Sequence, residues 1–182
     1  VYKRQVFREV KYVIFADDFE GEDKGWTSGK VQFGTSDWEV RSITASSGAN
    51  SMDSGYRNSN PTPSDTYVST PALDLGLPVE ADLQMKISYY AYFTYDGYQA
   101  QISEDGGSTW TMIAPEGGYP RSLSTYSYYG NPLRGQPGYT YYGSSTGFTS
   151  APDGNSYIDV KFNLDAYTCL LYTSPSPRDG TS

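Results

Sequence analysis

The sequence predicts an all-β protein, a two-sheet antiparallel β-sandwich of jelly-roll form, and three observations carry that expectation. Tyr and Gly each occur 19 times and Pro 11 times in 182 residues, a composition that favours strands and turns over helices. Two stretches, 83–93 and 158–164, alternate apolar and polar residues with a period of two, the signature of a half-buried strand. Many further short apolar runs are separated by Gly, Pro, Asn, Asp and Ser clusters, and no stretch carries helical periodicity. The length suits one domain with a substantial core.

Taken in order, residues 6–15 read as a linker or an incoming strand, and the sandwich is expected over 16–168. SDWEVRSI (36–43) and DTYVSTPALDL (65–75) read as short strands separated by a polar loop, SSGANSMDSGYRNSNPTPS. LQMKISYYAYF follows, with Leu83, Met85, Ile87, Tyr89, Ala91 and Phe93 on one face. TYDG then reads as a turn, GYQAQIS as a second strand with Tyr98, Ala100 and Ile102 inward, and TWTMI as a third, giving a β-meander. Residues 117–147 form a Gly/Tyr/Pro segment too long for an ordinary hairpin loop. YIDVKFNL closes the set with Ile158, Val160, Phe162 and Leu164 on one face.

Charge and residue inventory exclude several functions. The formal net charge is −8 with no basic run, which disfavours binding to a phosphate backbone. No apolar stretch approaches a membrane span, so no membrane insertion is expected. There is no His, and the single Cys is Cys169, which removes Ser-His and Cys-His nucleophile systems, the H-E-x-x-H motif and any zinc site in this chain. The acidic, Asp- and Gly-rich character fits a secreted or cell-surface protein.

The two ends read differently from the rest. GTG TAT AAG AGA CAG encodes Val1 to Gln5, and its reverse complement in a shifted frame encodes Cys169-Leu170-Leu171-Tyr172-Thr173. Both ends thus resemble one translated transposon-type sequencing adapter in opposite orientations, and residues 1–5 and 169–182 are expected to be adapter-derived. Without Lys3 and Arg4 the formal charge moves from −8 to −10, Arg178 and Asp179 cancelling.

Three groups of residues are candidates for a site. Ser103, Asp105, Gly107, Thr109 and Trp110 fit the Asp-box pattern S-x-D-x-G-x-T-W. Their chemistry is that of a turn: Asp105 is placed to accept backbone N–H groups, and Gly106 and Gly107 permit positive φ. An Asp-box glycosidase, built as a propeller, would need several blades and copies of the box. The acidic run Asp17-Asp18-Phe19-Glu20-Gly21-Glu22-Asp23 is either a solvated turn or part of a Ca²⁺ site, with Asp18 and Glu20 as first ligands. Tyr126, Tyr128, Tyr129, Tyr139, Tyr141 and Tyr142 crowd the long segment and either contact a glycan or protein ligand or pack the loop onto the sheet.

A combination of motifs is more specific. D-D-F-E-x(5)-W (17–26), D-W (37–38), Asp65 to Leu75, YDGYQAQISEDGGSTW, GGYP (117–120), GNPLRGQPGYT-x-x-G-x-S (130–145) and NLDAY together resemble the MAM-like jelly-roll domain of immune inhibitor A-type, M6-class secreted bacterial metallopeptidases. The resemblance covers most of 16–168. It implies a β-sandwich, often holding a structural Ca²⁺, that accompanies a zinc peptidase domain without being catalytic itself. After NLDAY the family continues with further strands that this sequence lacks, so the sandwich is expected to be incomplete at its C-terminal strands. The expected role is therefore a non-catalytic accessory domain serving a neighbouring catalytic domain, substrate or surface. The alternative is a carbohydrate-binding or adhesion module using the Tyr-rich loop.

Overall fold

The computed structural model describes residues 11–32, 38–43, 45–54, 65–76, 80–89, 91, 94–125, 131–140 and 157–168. Over these the chain is all-β and sandwich-like, built from antiparallel pairs. In chain order the strands are β1 (Thr27–Lys30), β2 (Glu39–Arg41), β3 (Ser51–Asp53), β4 (Thr66–Ser69), β5 (Asp82–Ile87), β6 (Ala100–Ile102), β7 (Thr111–Ile113), β8 (Arg121–Ser122), β9 (Pro137–Gly138) and β10 (Ile158–Asn163). A 3₁₀ turn, Asp165–Tyr167, follows β10. The pairs are β1–β4, β2–β3, β5–β10, β6–β7 and β8–β9. No described helix is long and apolar enough to cross a membrane.

The core lies between β5–β10 and the β6–β7 hairpin. Leu83 faces Phe162 across the ladder, Met85 faces Val160 and Ile87 faces Ile158. Because side chains alternate faces along a strand, Asp82, Gln84 and Lys86 point to solvent while the apolar set turns inward. Phe162 is fully buried, and Val160, Leu164, Ile113 and Tyr139 join it, with Ala100 and Ile102 packed against them from the hairpin. Beyond β10, Asp165 Oδ1 accepts the Ala81 N–H at 2.8 Å and Leu164 N–H donates to Ala81 O at 2.8 Å. The end of β10 is thereby fastened to the start of β5.

Three features differ from the expected layout. The three-strand meander is replaced by a hairpin: β6 pairs with β7, whereas β5 pairs with β10. β10 offers six alternating residues that match β5 along its whole length, against three in β6. The chain between β5 and β6 is also bent by Thr94 at φ 62°, and Tyr98 forms an isolated bridge with Tyr139. Within the expected polar loop, Ser51–Asp53 pairs with Glu39–Arg41. Residues 11–16 form no strand, and Tyr12 and Val13 are exposed. Residues 1–10 and 169–182, including both adapter-like ends, lie outside the described residues.

Candidate functional site

The Ser103–Trp110 turn joins β6 to β7 and is closed by its own side chains. Asp105 Oδ1 accepts the Thr109 N–H at 2.8 Å and the Ser103 hydroxyl at 2.9 Å, and Oδ2 accepts the Thr109 hydroxyl at 2.6 Å. Ser103 Oγ in turn accepts the Gly107 N–H at 2.7 Å. Gly106 and Gly107 hold φ of 72° and 90°, a region costly for residues with a Cβ. Trp110 folds back so that its indole N–H donates to Gly107 O at 3.1 Å. The Thr109 hydroxyl and N–H, with the Ser103 hydroxyl, hold the Asp105 carboxyl down to about 2. Each donor stabilises the charged form, so this carboxylate is a fastener with little basicity.

The acidic run is organised the same way. Glu20 reaches across to the 48–50 loop, where Oε1 accepts the Ala49 and Asn50 N–H groups, both at 2.7 Å, and Oε2 accepts Asn50 Nδ2 at 3.2 Å. Asp18 accepts the Glu20 N–H at 3.2 Å, and Asp23 accepts those of Gly25 and Trp26 at 2.9 and 3.2 Å. Asp17, which the sequence did not single out as a site residue, is the most engaged. Its nearly buried carboxylate accepts the Phe19 N–H at 2.9 Å and the Trp26 indole N–H at 2.7 Å, with Lys24 Nζ at 3.7 Å. Burial pushes its pKa up, but the two hydrogen bonds and the Lys24 charge outweigh this and leave it lowered. Among the described residues no group of three or more Asp, Glu, His or Cys side chains is arranged to hold a metal ion. Asp18 and Glu20 are thus turned to backbone donors of different segments.

Of the six candidate tyrosines, Tyr126, Tyr128, Tyr129, Tyr141 and Tyr142 lie outside the described residues. Tyr139 is 7% exposed and belongs to the core, so it packs the segment onto the sheet. Its ring stands 5.1 Å from Tyr119 and 5.4 Å from Tyr89. Burial, with Tyr119 and Tyr89 beside it, pushes its hydroxyl up to about 12. Tyr119 bridges the hairpin: its hydroxyl donates to Ile113 O at 2.8 Å and accepts the Ala100 N–H at 2.9 Å.

Two clefts open on the surface. One, of about 360 Å³, is walled by Tyr89, Tyr139 and Ile158 and edged by Glu116, Asp159 and Lys161. Lys161 is held there by Glu116 at 2.8 Å and Asp82 at 3.3 Å. The other, of about 380 Å³, lies between the acidic run and the β2–β3 hairpin and is lined by Phe19, Trp26 and Trp38 among carboxylates. Both tryptophans were legible as motif residues, but nothing in their spacing of twelve places announces a shared wall. No family model, no curated protein and no solved structure matches the chain.

Proposed function

We propose that the chain is a non-catalytic accessory β-sandwich module of an exported bacterial protein, most simply one of the immune inhibitor A type. In that role it packs against or positions a neighbouring catalytic domain, or holds substrate or the cell surface. One observation carries the reading: Asp17, Glu20, Asp23, Asp105 and Asp165 all spend a carboxylate oxygen on backbone N–H groups that close turns or tie segments. Carboxylates whose oxygens are committed to such donors are poorly placed to exchange a proton with a substrate, but good scaffold. The purified chain is expected to leave casein and a fluorogenic sialoside unhydrolysed. Turnover of either that survives further purification overturns the reading.

A structural Ca²⁺ at Asp18 and Glu20 belongs to the same proposal in a restricted form, since the ion has to compete with Ala49 and Asn50 for Glu20. A Tm raised by calcium, reversed by EDTA and insensitive to calcium in Asp18→Ala supports it; a flat response removes it. The carbohydrate-binding alternative draws on the cleft where the half-buried Tyr89 meets Glu116 and Asp159, because sugars pair ring faces with polar edges. It requires glycan-array binding that Tyr128→Ala with Tyr141→Ala, or Glu116→Ala, abolishes.

A further inference from the structure

We propose that the cleft between the acidic run and the β2–β3 hairpin binds an arginine side chain of a basic partner peptide. Three aromatic residues, Phe19, Trp26 and Trp38, line it, and all are partly exposed. Their positions are fixed before any guest arrives. Trp26 is held through its indole N–H by Asp17 at 2.7 Å, and by ring contacts with Phe15 at 5.6 Å and Phe19 at 5.5 Å. Trp38 donates its indole N–H to Thr66 Oγ1 at 3.2 Å. Preset walls of this kind remove part of the ordering cost of binding.

The charge around those walls selects the guest. The lining contains Asp17, Glu22, Asp23 and Glu39 and no basic residue. Among the described residues, Lys24, beside Asp17, and Arg41, 2.7 Å from Glu39, are the cations that stand against them, which leaves an excess of two negative charges there. Asp17 and Asp23 are committed to N–H donors within the turn. Glu22 is exposed and makes no hydrogen bond or ion pair with any described residue, and the Glu39 side chain is 63% exposed. A guest must therefore offer a cation to Glu22 and to the exposed side of Glu39, whose Oε1 Arg41 holds at 2.7 Å, a flat face to indole, and an apolar stem to Val40 and Met52, which complete the lining. A guanidinium on its three-carbon stem meets all three demands, because it stacks on aromatic faces and pairs with carboxylates in a fork. Arg41 already reaches Glu39 from within the chain through one contact, Nη2 to Oε1 at 2.7 Å.

The inference rests on the accessory-module reading for its purpose only; hydrolysis assays decide that reading separately, and cleft binding can fail while it stands. The test is calorimetric titration of the whole chain at low salt with Ac-Gly-Arg-Gly-Arg-Gly-NH2 and with the same peptide carrying citrulline, which keeps the shape and removes the charge. The arginine peptide is expected to bind with a Kd on the order of 0.1–1 mM, and citrulline to weaken it by about tenfold or more. Glu22→Gln with Glu39→Gln should produce a similar loss, with Tm shifted by no more than the small contribution of the partly exposed Glu39–Arg41 pair. Glu80→Gln with Glu104→Gln, which removes the same charge elsewhere on the surface, should change the affinity by less than about twofold. Equal losses in the two double variants, or equal binding of the arginine and citrulline peptides, would overturn the assignment.

Discussion

Truncating Phe162 to Ala tests the β5–β10 register directly. The ring is 0% exposed, stands opposite Leu83, and is enclosed by Ile113, Tyr139, Val160 and Leu164. Removing a fully enclosed phenyl group costs about 3–5 kcal/mol, transfer and cavity contributions together. For a chain of this size that is a Tm fall of roughly 10 °C. The informative control is one strand position on the other face. Asp159 has a side chain 82% exposed and, among the described residues, pairs with Lys86 at 2.6 Å; such an exposed pair contributes less than about 1 kcal/mol. Thermal melts followed by near-ultraviolet circular dichroism, checked by urea titration, should separate Phe162→Ala from Asp159→Ala by several degrees. A one-residue slip of β10 would turn Phe162 outward and Asp159 inward. Equal melting temperatures, or a larger loss in Asp159→Ala, would therefore refute the pairing.

Other consequences are open to measurement. A Cβ on Gly138 would lie 2.6 Å from Leu123 Cδ1 and 3.1 Å from Tyr98 O, and Leu123 is itself buried at 2%; Gly138→Ala should cost about 1–3 kcal/mol in urea unfolding, with part recovered in the double variant carrying Leu123→Ala. Asp105, held down to about 2, and the lowered Asp17 and Asp165 stay charged in the fold while the unfolded chain takes up protons near 3.8, so their stabilisation is present above that value and lost as pH falls from about 4 towards 2. Asp105→Asn should flatten that acid limb in a Tm-versus-pH series. Asp65 runs the other way: burial raises its pKa, and its Oδ2 is buried without a hydrogen-bond partner among the described residues. Its ionisation opposes folding, so stability drops as pH rises from the ordinary carboxylate value through the raised one, and Asp65→Asn should melt higher than the parent at pH 7.

The sequence made some of this legible and hid the rest for physical reasons. Alternation at 83–93 and 158–164 reports burial on one face; the first run is strand only as far as Ile87 and the second over Ile158–Asn163, both with the expected faces inward. Turn chemistry is local, so the bonding around Asp105 could be anticipated from five neighbouring residues. Pairing is not local: nothing in the meander-like order of strands indicates that β5 prefers β10, because the decisive quantity is matched length across a long separation. β3, β8 and β9 have two or three residues each, too few for a period to register. The acidic run illustrates the same limit. Its carboxylates look like cation ligands when only neighbours are counted, whereas Glu20 finds its donors 29 and 30 residues away. Tyr139 resembles its neighbouring tyrosines in sequence, and what places it in the core is the cover of Tyr89 and Tyr119, which stand 50 and 20 positions earlier in the chain.

The clasp between β5 and β10 also sets a timetable. Lys86 and Asp159, partners across it, are separated by 73 residues, so a ribosome adding about 5–20 residues per second needs roughly 4–15 s to supply the second strand after the first has been made. During that interval the β6–β7 hairpin can form from contiguous chain, but Leu83, Met85 and Ile87 have no ladder to cover them. Closing so long a loop is slow and entropically costly, and an uncovered apolar strand edge invites pairing with another nascent copy. Yield in a living host should therefore depend less on the stability of the finished protein than on how well β5 is shielded until residue 158 and its followers emerge.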